Sequence, residues 1–153
     1  MPKKLDLTDN LEKYIIENSE DLTDIQKEIL DYNLSLGDQK KLQISISQAQ
    51  FLQTLIKISK IKKVLEIGSF TGFSALSMAI SLPDDGSLIS LDKNTEFSKK
   101  AKTFYDKAKE SKITQIIKPA LESLKELKNS KRKFDLVFID ADKENYENYY
   151  EES

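Results

Sequence analysis

The 153-residue sequence contains no cysteine, no histidine and no tryptophan. Without cysteine there is no disulfide framework and no thiolate chemistry, which fits a reducing compartment, and we expect a cytoplasmic protein. Without histidine, any general base must be Asp, Glu, Lys or Tyr, and any metal must be bound by oxygen ligands. Such ligands favour Mg²⁺, Ca²⁺ or Mn²⁺ over structural zinc.

Long apolar runs and an excess of one charge are also missing. No apolar run reaches the roughly 18 residues of a membrane-spanning helix, and the N-terminus is polar, so we expect neither a membrane span nor a signal peptide. The 24 Lys and Arg residues nearly balance the 26 Asp and Glu residues, for a net charge of −2. A balanced chain has no overall basic field to attract nucleic acid. We therefore expect neither a membrane nor a nucleic acid as a partner.

The sequence does contain an alternation of short apolar runs and helical patterns. The predicted strands span residues 64–67, 87–91, 113–117 and 134–139, and the segments between them have helical periodicity. Such alternation predicts an α/β fold with a Rossmann-like parallel sheet covered on both faces. We expect one domain, with an N-terminal helical cap in residues 1–62 and four strand-helix units in residues 63–153.

The last helix of the predicted cap carries a start signal. Ser47 is followed three residues later by Gln50, which is the pattern of a capping box. The spacing after it places Phe51 on the buried side of the helix.

The turn after the first predicted strand indicates a ligand site. Residues 66–74 read Glu-Ile-Gly-Ser-Phe-Thr-Gly-Phe-Ser. In doubly wound folds ligands bind at the carboxyl ends of strands, near the first strand-helix turn. Gly68 would allow close approach of ligand and backbone, and Gly72 would open a helix whose N-terminal amides favour an anionic group. Ser74 adds a hydroxyl in the first turn of that helix.

The spacing of the glycines argues against a dinucleotide. That fingerprint needs glycines at relative positions 0, 2 and 5, and counting from Gly68 the second of these is Phe70. On the glycines alone a plain tight turn fits equally well. Asp92, at the end of the second predicted strand, could accept hydrogen bonds from a ribose diol. Together these residues favour a nucleoside cofactor without a pyrophosphate, such as S-adenosylmethionine.

A second group of polar residues follows the fourth predicted strand. Asp140 would arrive at the same edge of the sheet as Gly68 and Asp92 and could ligate a hard cation or meet an ammonium group. Lys143 follows about one helical turn later. A lysine beside a divalent cation has its neutral form favoured and can act as a base. Without Asp140, Lys143 would fit the solvated start of a helix.

These blocks closely resemble the caffeoyl-CoA O-methyltransferase-like family of class I S-adenosylmethionine-dependent enzymes, which is related to catechol O-methyltransferase. The resemblance runs from about Leu7 to Ser153. It rests on four blocks, residues 43–52, 66–74, 82–86 (Leu-Pro-Asp-Asp-Gly) and 138–146 (Phe-Ile-Asp-Ala-Asp-Lys-Glu-Asn-Tyr). The family's sheet has seven strands, of which this sequence predicts four, so we expect a sheet that lacks its last strands.

The resemblance implies a role for each candidate residue. Ile44 and Ser45 would cover the cofactor, Asp92 would bind the ribose hydroxyls, and the backbone of Ala120 would meet the adenine. The methionine part of the cofactor would be held by four residues: Glu66, Gly68, Ser69 and Ser74.

The resemblance also implies the reaction. Asp140 would bind both a divalent cation such as Mg²⁺ and the amino-acid end of the cofactor, and Lys143 would deprotonate the accepting hydroxyl. The implied function is methyl transfer from S-adenosylmethionine to a small, catechol-like acceptor, by an enzyme that is a homodimer in its full-length form. Two alternatives stay open. One is an inactive, truncated fragment of such an enzyme, and the other is a methyltransferase for a tRNA base, which the basic loop of residues 128–133 suggests.

Overall fold

The structure is a computed structural model that describes residues 8–153. The first seven residues of the expected 1–62 cap, and Leu7 where the family resemblance begins, lie outside the described residues. No helix in the described part of the chain combines the length and the apolar character needed to cross a membrane.

Three α-helices and a 3-10 helix precede the first strand. They are α1 (Asp9–Glu17), α2 (Asp24–Leu34), the 3-10 helix (Gly37–Leu42) and α3 (Ile46–Ser59). The start of α2 is a full capping box, in which Thr23 accepts from the backbone of Gln26 and the Gln26 side chain accepts from the backbone of Thr23. These helices form the expected N-terminal cap over one face of the sheet.

The predicted start of α3 was wrong by two residues. The helix begins at Ile46 and is capped by Ser45, whose hydroxyl accepts a hydrogen bond from the Gln48 N–H at 3.1 Å. Ser47 instead donates its hydroxyl to Glu12 on α1, at 3.1 Å. The placement of Phe51 on the buried side was also wrong, because this side chain is 64% exposed.

The rest of the chain alternates strand and helix, as predicted. The strands are β1 (Lys63–Ile67), β2 (Ser87–Asp92), β3 (Ile113–Ile117) and β4 (Leu136–Ile139). The helices are α4 (Phe73–Ile80), α5 (Thr95–Lys107), α6 (Ala120–Asn129), a 3-10 helix (Lys143–Asn145) and α7 (Tyr146–Glu152). All strand pairs are parallel and the order is β3-β2-β1-β4, which confirms the Rossmann-like fold class.

The register of the sheet brings three strand ends together. Ile67 at the end of β1 is paired with Leu91 on one side and with Ile139 on the other. The residues that follow these three strand ends therefore meet at one edge of the sheet. This is the edge at which parallel α/β sheets bind ligands.

Alternating side chains of the strands form two apolar cores. Val64 and Leu88 point to the face covered by the N-terminal cap, α4 and α5. Leu65 and Ile89 point to the opposite face, which is covered by α6 and α7. Glu66, the neighbour of Leu65, lies on the α4 face, and this sets its position at the site.

One edge of the sheet is apolar and has no strand partner within residues 8–153. β4 pairs with β1 on one side only, and its four residues, Leu-Val-Phe-Ile, are each half-buried. The opposite edge is polar by comparison, because β3 carries Thr114 and Gln115 and is flanked by Lys112 and Lys118. A flat apolar edge is a template for pairing with another chain, and flanking charges protect an edge from it.

We expect the 153-residue chain to associate through β4 and not through β3. Light scattering over a dilution series should show mass that rises with concentration. Hydrogen exchange should show β4 amides that become more protected as concentration rises, while β3 amides stay unchanged as the internal control. A protein that is monomeric at all concentrations, with β4 amides already strongly protected, would contradict the argument.

Candidate functional site

A cavity of about 610 Å³ lies at the carboxyl ends of β1, β2 and β4. This volume lies in the range of small-molecule sites. One wall is the segment 43–45 that joins the first 3-10 helix to α3, and the opposite wall is formed by the start of α7. Nine of the ten predicted site residues line the cavity: Ile44, Ser45, Gly68, Ser69, Ser74, Asp92, Ala120, Asp140 and Lys143. The tenth, Glu66, lies behind the wall and reaches it through Ser74.

The turn between β1 and α4 winds around the carboxylate of Asp92. Gly68, Phe70 and Gly72 have positive φ values of 92°, 49° and 90°. This conformation directs the N–H groups of Ser69 and Phe70 to Asp92 Oδ2, at 2.9 Å and 3.0 Å. The amides that could otherwise bind a phosphate therefore already have an internal carboxylate as their partner.

The two oxygens of Asp92 differ in what they can still bind. Oδ2 accepts from both turn amides, and the Ser69 hydroxyl lies 3.4 Å away. Oδ1 accepts from the Asn94 N–H alone, at 2.8 Å. Since a carboxylate oxygen has two lone pairs, Oδ1 is the atom with capacity for a ligand hydroxyl.

Gly68 is required by the protein itself at this point. A Cβ on Gly68 would lie 2.2 Å from the carbonyl oxygen of Asp140. The Asp140 N–H donates to the carbonyl of Ile67 at 2.9 Å, so the chain after β4 is held against the turn. The absence of a side chain at Gly68 therefore lets the backbone of Asp140 pack closely against the turn.

Gly72 is the N-terminal cap of α4, which begins at Phe73. A Cβ on Gly72 would lie 2.4 Å from the hydroxyl of Tyr105 on α5. Both positive-φ glycines therefore allow other parts of the chain to pack against the turn.

Glu66 is a fully buried carboxyl group that joins two elements of the site. The Ser74 hydroxyl on α4 donates to its Oε1 at 2.5 Å, and the Ser90 hydroxyl on β2 donates to its Oε2 at 2.6 Å. Burial raises the pKa of Glu66 to about 7, and the two serine hydrogen bonds oppose this shift. The negative charges of Asp92 and Asp140 raise the pKa further.

Asp140 and Lys143 both line the cavity. Burial raises the pKa of the Asp140 carboxyl, while the charge of Lys143 opposes the shift. Among residues 8–153 no three acidic side chains come together in a way that could hold a metal ion. Asp140 alone is too small a donor set for a divalent cation, which takes six or more oxygen ligands.

Ala120 is the first residue of α6, and no side chain of the described residues caps this helix. The first N–H groups of a helix have no partner within the helix. The backbone of Ala120 is therefore free to meet a ligand in the cavity.

Several residues of the cavity wall carry no role in the sequence prediction. Asp142 accepts hydrogen bonds from the Tyr149 hydroxyl at 2.7 Å and from the Asn145 amide, and these bonds lower its pKa. The aromatic rings of Phe70 and Phe97 pack edge to face, with centroids 4.7 Å apart. Helical spacing could have paired Asp142 with Tyr149, seven residues later, whereas no sequence pattern links Phe70 to Phe97.

Sequence comparison places these residues in a known family. The chain matches the family model described as O-methyltransferase over residues 16–153. A Dictyostelium discoideum protein named "Probable caffeoyl-CoA O-methyltransferase 2" is 36% identical over 151 residues, which are 97% of this chain and 65% of that protein. Caffeoyl-CoA O-methyltransferase 1 of Zea mays is 35% identical and covers 97% of this chain, which spans 60% of its length.

Solved structures agree with this result. The O-methyltransferase from Bacillus cereus in complex with SAH (S-adenosylhomocysteine) superposes with a TM-score of 0.83 at 28% identity, covering 94% of this chain and 66% of that one. A methyltransferase from Podospora anserina gives a TM-score of 0.86 at 24% identity, covering 99% of this chain and 64% of that one, and this likeness concerns the fold. The chain thus spans 60–66% of the length of these four proteins.

Proposed function

Because the chain belongs to the O-methyltransferase family, we propose that it binds S-adenosylmethionine in the cavity and transfers its methyl group to a hydroxyl oxygen of a small acceptor. The observation that carries this proposal is the internal pairing of Asp92 with the turn amides. A dinucleotide site needs free amides and bare backbone for its pyrophosphate. This turn offers a carboxylate oxygen and a phenylalanine ring instead, which suits an uncharged ribose diol.

The residues around the cavity match the parts of this cofactor. Asp92 lines the cavity and its Oδ1 has capacity for a ribose hydroxyl, and Ala120 would offer its backbone N–H to the adenine. Asp140 is the carboxylate available for the ammonium of the methionine part. Ile44 and Ser45 form the wall that covers the bound molecule.

The proposed chemistry needs little more than positioning and one base. Bound S-adenosylmethionine supplies a methyl group on a positively charged sulfur, which is already a good electrophile. Lys143 is the base that the family resemblance implies, and its Nζ takes the proton of the acceptor hydroxyl. The deprotonated oxygen then forms its bond to the methyl carbon as the carbon–sulfur bond breaks. Orientation of the two reactants in the cavity supplies most of the rate.

The finer parts of the proposal rest on the family resemblance. A catechol-like acceptor, a divalent cation bound by Asp140 and a homodimer are what the resemblance implies. Since the described residues bring no three acidic side chains together in a way that could hold a metal ion, we assign no step of the reaction to a metal. The alternative of a tRNA substrate gains no support from the basic loop. Lys128 forms an ion pair with Glu152, and the loop joins the end of α6 to β4, away from the carboxyl ends of the strands.

Calorimetry with SAH and with NAD tests the proposal. We expect the wild-type chain to bind SAH and not NAD. Asp92→Asn keeps an oxygen for the turn amides but removes the charge that the ribose hydroxyl meets. A hydrogen bond to a charged group contributes about 1.5–3 kcal/mol, so SAH affinity should fall about 10- to 100-fold.

Asp135→Asn is the matched control for this experiment. Asp135 Oδ2 also accepts from two backbone N–H groups, those of Lys62 and Lys63, at 2.9 Å each, but at the amino ends of the strands. This variant should keep the SAH affinity of the wild type. Preference for NAD, or an equal loss of affinity in the two variants, would refute the proposed site.

A further inference from the structure

Two hydrogen bonds of the Asn33 side chain, one buried and one partly buried, connect the turn after β1 to the wall segment 43–45 of the cavity. The Thr71 hydroxyl donates to Asn33 Oδ1 at 2.7 Å, and Asn33 Nδ2 donates to Gln43 Oε1 at 2.6 Å. Thr71 follows Phe70 in the turn, and Gln43 begins the wall segment 43–45. One side chain of α2 thereby contacts two segments that lie 28 positions apart in the sequence and that both line the cavity.

Asn33 is almost fully buried, at 1% exposure, and Thr71 is at 0%. A buried polar atom that loses its partner destabilises the fold, because no water replaces the lost hydrogen bond. The amide group of Asn33 satisfies one partner with its oxygen and the other with its nitrogen. Aspartate could only accept and leucine could do neither, so the link needs a side chain that both donates and accepts.

We propose that Asn33 is a positioning residue that couples the wall segment 43–45 to the turn 68–72, so that the two close on the cofactor as one unit. Asn33 and Thr71 do not line the cavity, whereas Ile44, Ser69 and Phe70 do. The link therefore acts on the cofactor through its neighbours. This inference rests on the proposed function for its ligand, but the link itself is a property of the free protein.

A second buried bond on the same helix separates coupling from simple structural support. Gln26, two turns before Asn33 on α2, donates from Nε2 to the Ser77 hydroxyl on α4 at 2.9 Å. Both residues are at 0% exposure. This bond also ties α2 to the rest of the fold, but it reaches neither the wall segment nor the turn. Its loss should destabilise the fold without changing the cavity walls selectively.

The test uses paired variants at both ends of the link. Gln43→Met removes the acceptor for Asn33, whereas Gln43→Glu retains it. Thr71→Val removes the hydroxyl with little change in shape, whereas Thr71→Ser retains it. Ser77→Ala removes the control bond between α2 and α4. Hydrogen exchange is measured on each variant without any ligand, followed by calorimetry with SAH.

The decisive measurement is amide exchange in the segment that does not carry the substitution: the turn 68–72 for variants of Gln43, and the wall segment 43–45 for variants of Thr71. Gln43→Met should speed exchange of the Gly72 amide, which is bonded to the Ser69 carbonyl at 2.8 Å, by about 3- to 10-fold, the equivalent of one hydrogen bond. Thr71→Val should speed exchange in residues 43–45 by a similar factor. The two conservative variants should exchange like the wild type. SAH affinity is compared only between Thr71→Val and Thr71→Ser, because Gln43 itself lines the cavity; it should fall in Thr71→Val and stay unchanged in Thr71→Ser.

Two results would overturn the coupling. One is exchange that changes only around the substituted residue, and the other is a Ser77→Ala variant that affects both segments as strongly as Gln43→Met does. If the wild type fails to bind SAH, the proposed function fails. The exchange data then still decide whether the wall and the turn are coupled.

Discussion

Gly68→Ala should remove on the order of 4 kcal/mol of stability and abolish binding at the cavity. The new Cβ would lie 2.2 Å from the carbonyl oxygen and 2.8 Å from the carbonyl carbon of Asp140. These are backbone atoms, so they cannot move aside as a flexible side chain could. The φ of +92° adds strain of its own for a residue with a side chain. Urea unfolding followed by circular dichroism measures the loss.

Gly37→Ala is the matched control for this change. Gly37 also has a positive φ, +59°, but a Cβ there would meet nothing within 4 Å. The substitution should therefore cost only the strain of a left-handed backbone conformation, about 1–2 kcal/mol. If the two alanine variants lose equal stability, the contact between Gly68 and Asp140 does not matter, and the glycine is explained by its φ alone.

The positions of Asp92 and Asp140 at one edge of the sheet could be predicted from the sequence. Each follows an apolar run, and the carboxyl ends of parallel strands meet at one edge. Nothing beyond strand order was needed to bring both to the turn at Gly68. The comparisons confirm the family and the fold, while the individual roles of these residues stay predictions.

The start of α3 could not be predicted with the same certainty, because the local signal is ambiguous. Ser45 and Ser47 are each followed three residues later by glutamine, so either serine could cap the helix. Ile44 is buried in the core next to the cavity, and Ser45 follows it as the cap. The local sequence therefore does not decide between Ser45 and Ser47 as the cap, and the observed cap is the serine that follows the buried Ile44.

The link through Asn33 lies beyond any sequence pattern. Asn33 contacts Gln43 ten residues away and Thr71 thirty-eight residues away, on a helix that also buries Gln26 and Ile29. Buried asparagine on an apolar helical face is a visible anomaly. Its partners depend on how α2 crosses the turn, which is tertiary information.

The burial of Glu66 leads to the second large effect. Its carboxyl group has four neighbours with an electrostatic effect: two serine hydroxyls, and two carboxylates, Asp92 and Asp140. Tyr105 on α5 also lies near it. Burial and the negative charges of Glu66 and Asp92 raise the pKa of that phenol well above its usual value, so it stays neutral. No cation offsets the charge of Glu66 among the groups that shift its pKa. Ionised Glu66 is therefore a cost to the folded state.

Glu66→Gln should make the protein more stable at pH 8 by up to roughly 3 kcal/mol, with little gain at pH 4.5. The pKa of Glu66 is 4.5 for the free side chain and about 7 in the fold. Below pH 4.5 both states carry the proton, so ionisation costs nothing. Between pH 4.5 and 7 the folded state holds a proton that the unfolded state has lost, so the free energy of unfolding falls as pH rises. Above pH 7 the full penalty applies, and glutamine escapes it because its amide stays neutral.

Urea unfolding of both proteins from pH 4.5 to 8 measures this difference. Glu151→Gln, which changes an exposed glutamate of α7, is the control. Carboxyl groups with lowered pKa values, such as Asp135, cancel in the comparison. A stability gain that is the same at every pH, or a loss at pH 8, would show that Glu66 is not protonated in the fold near neutrality.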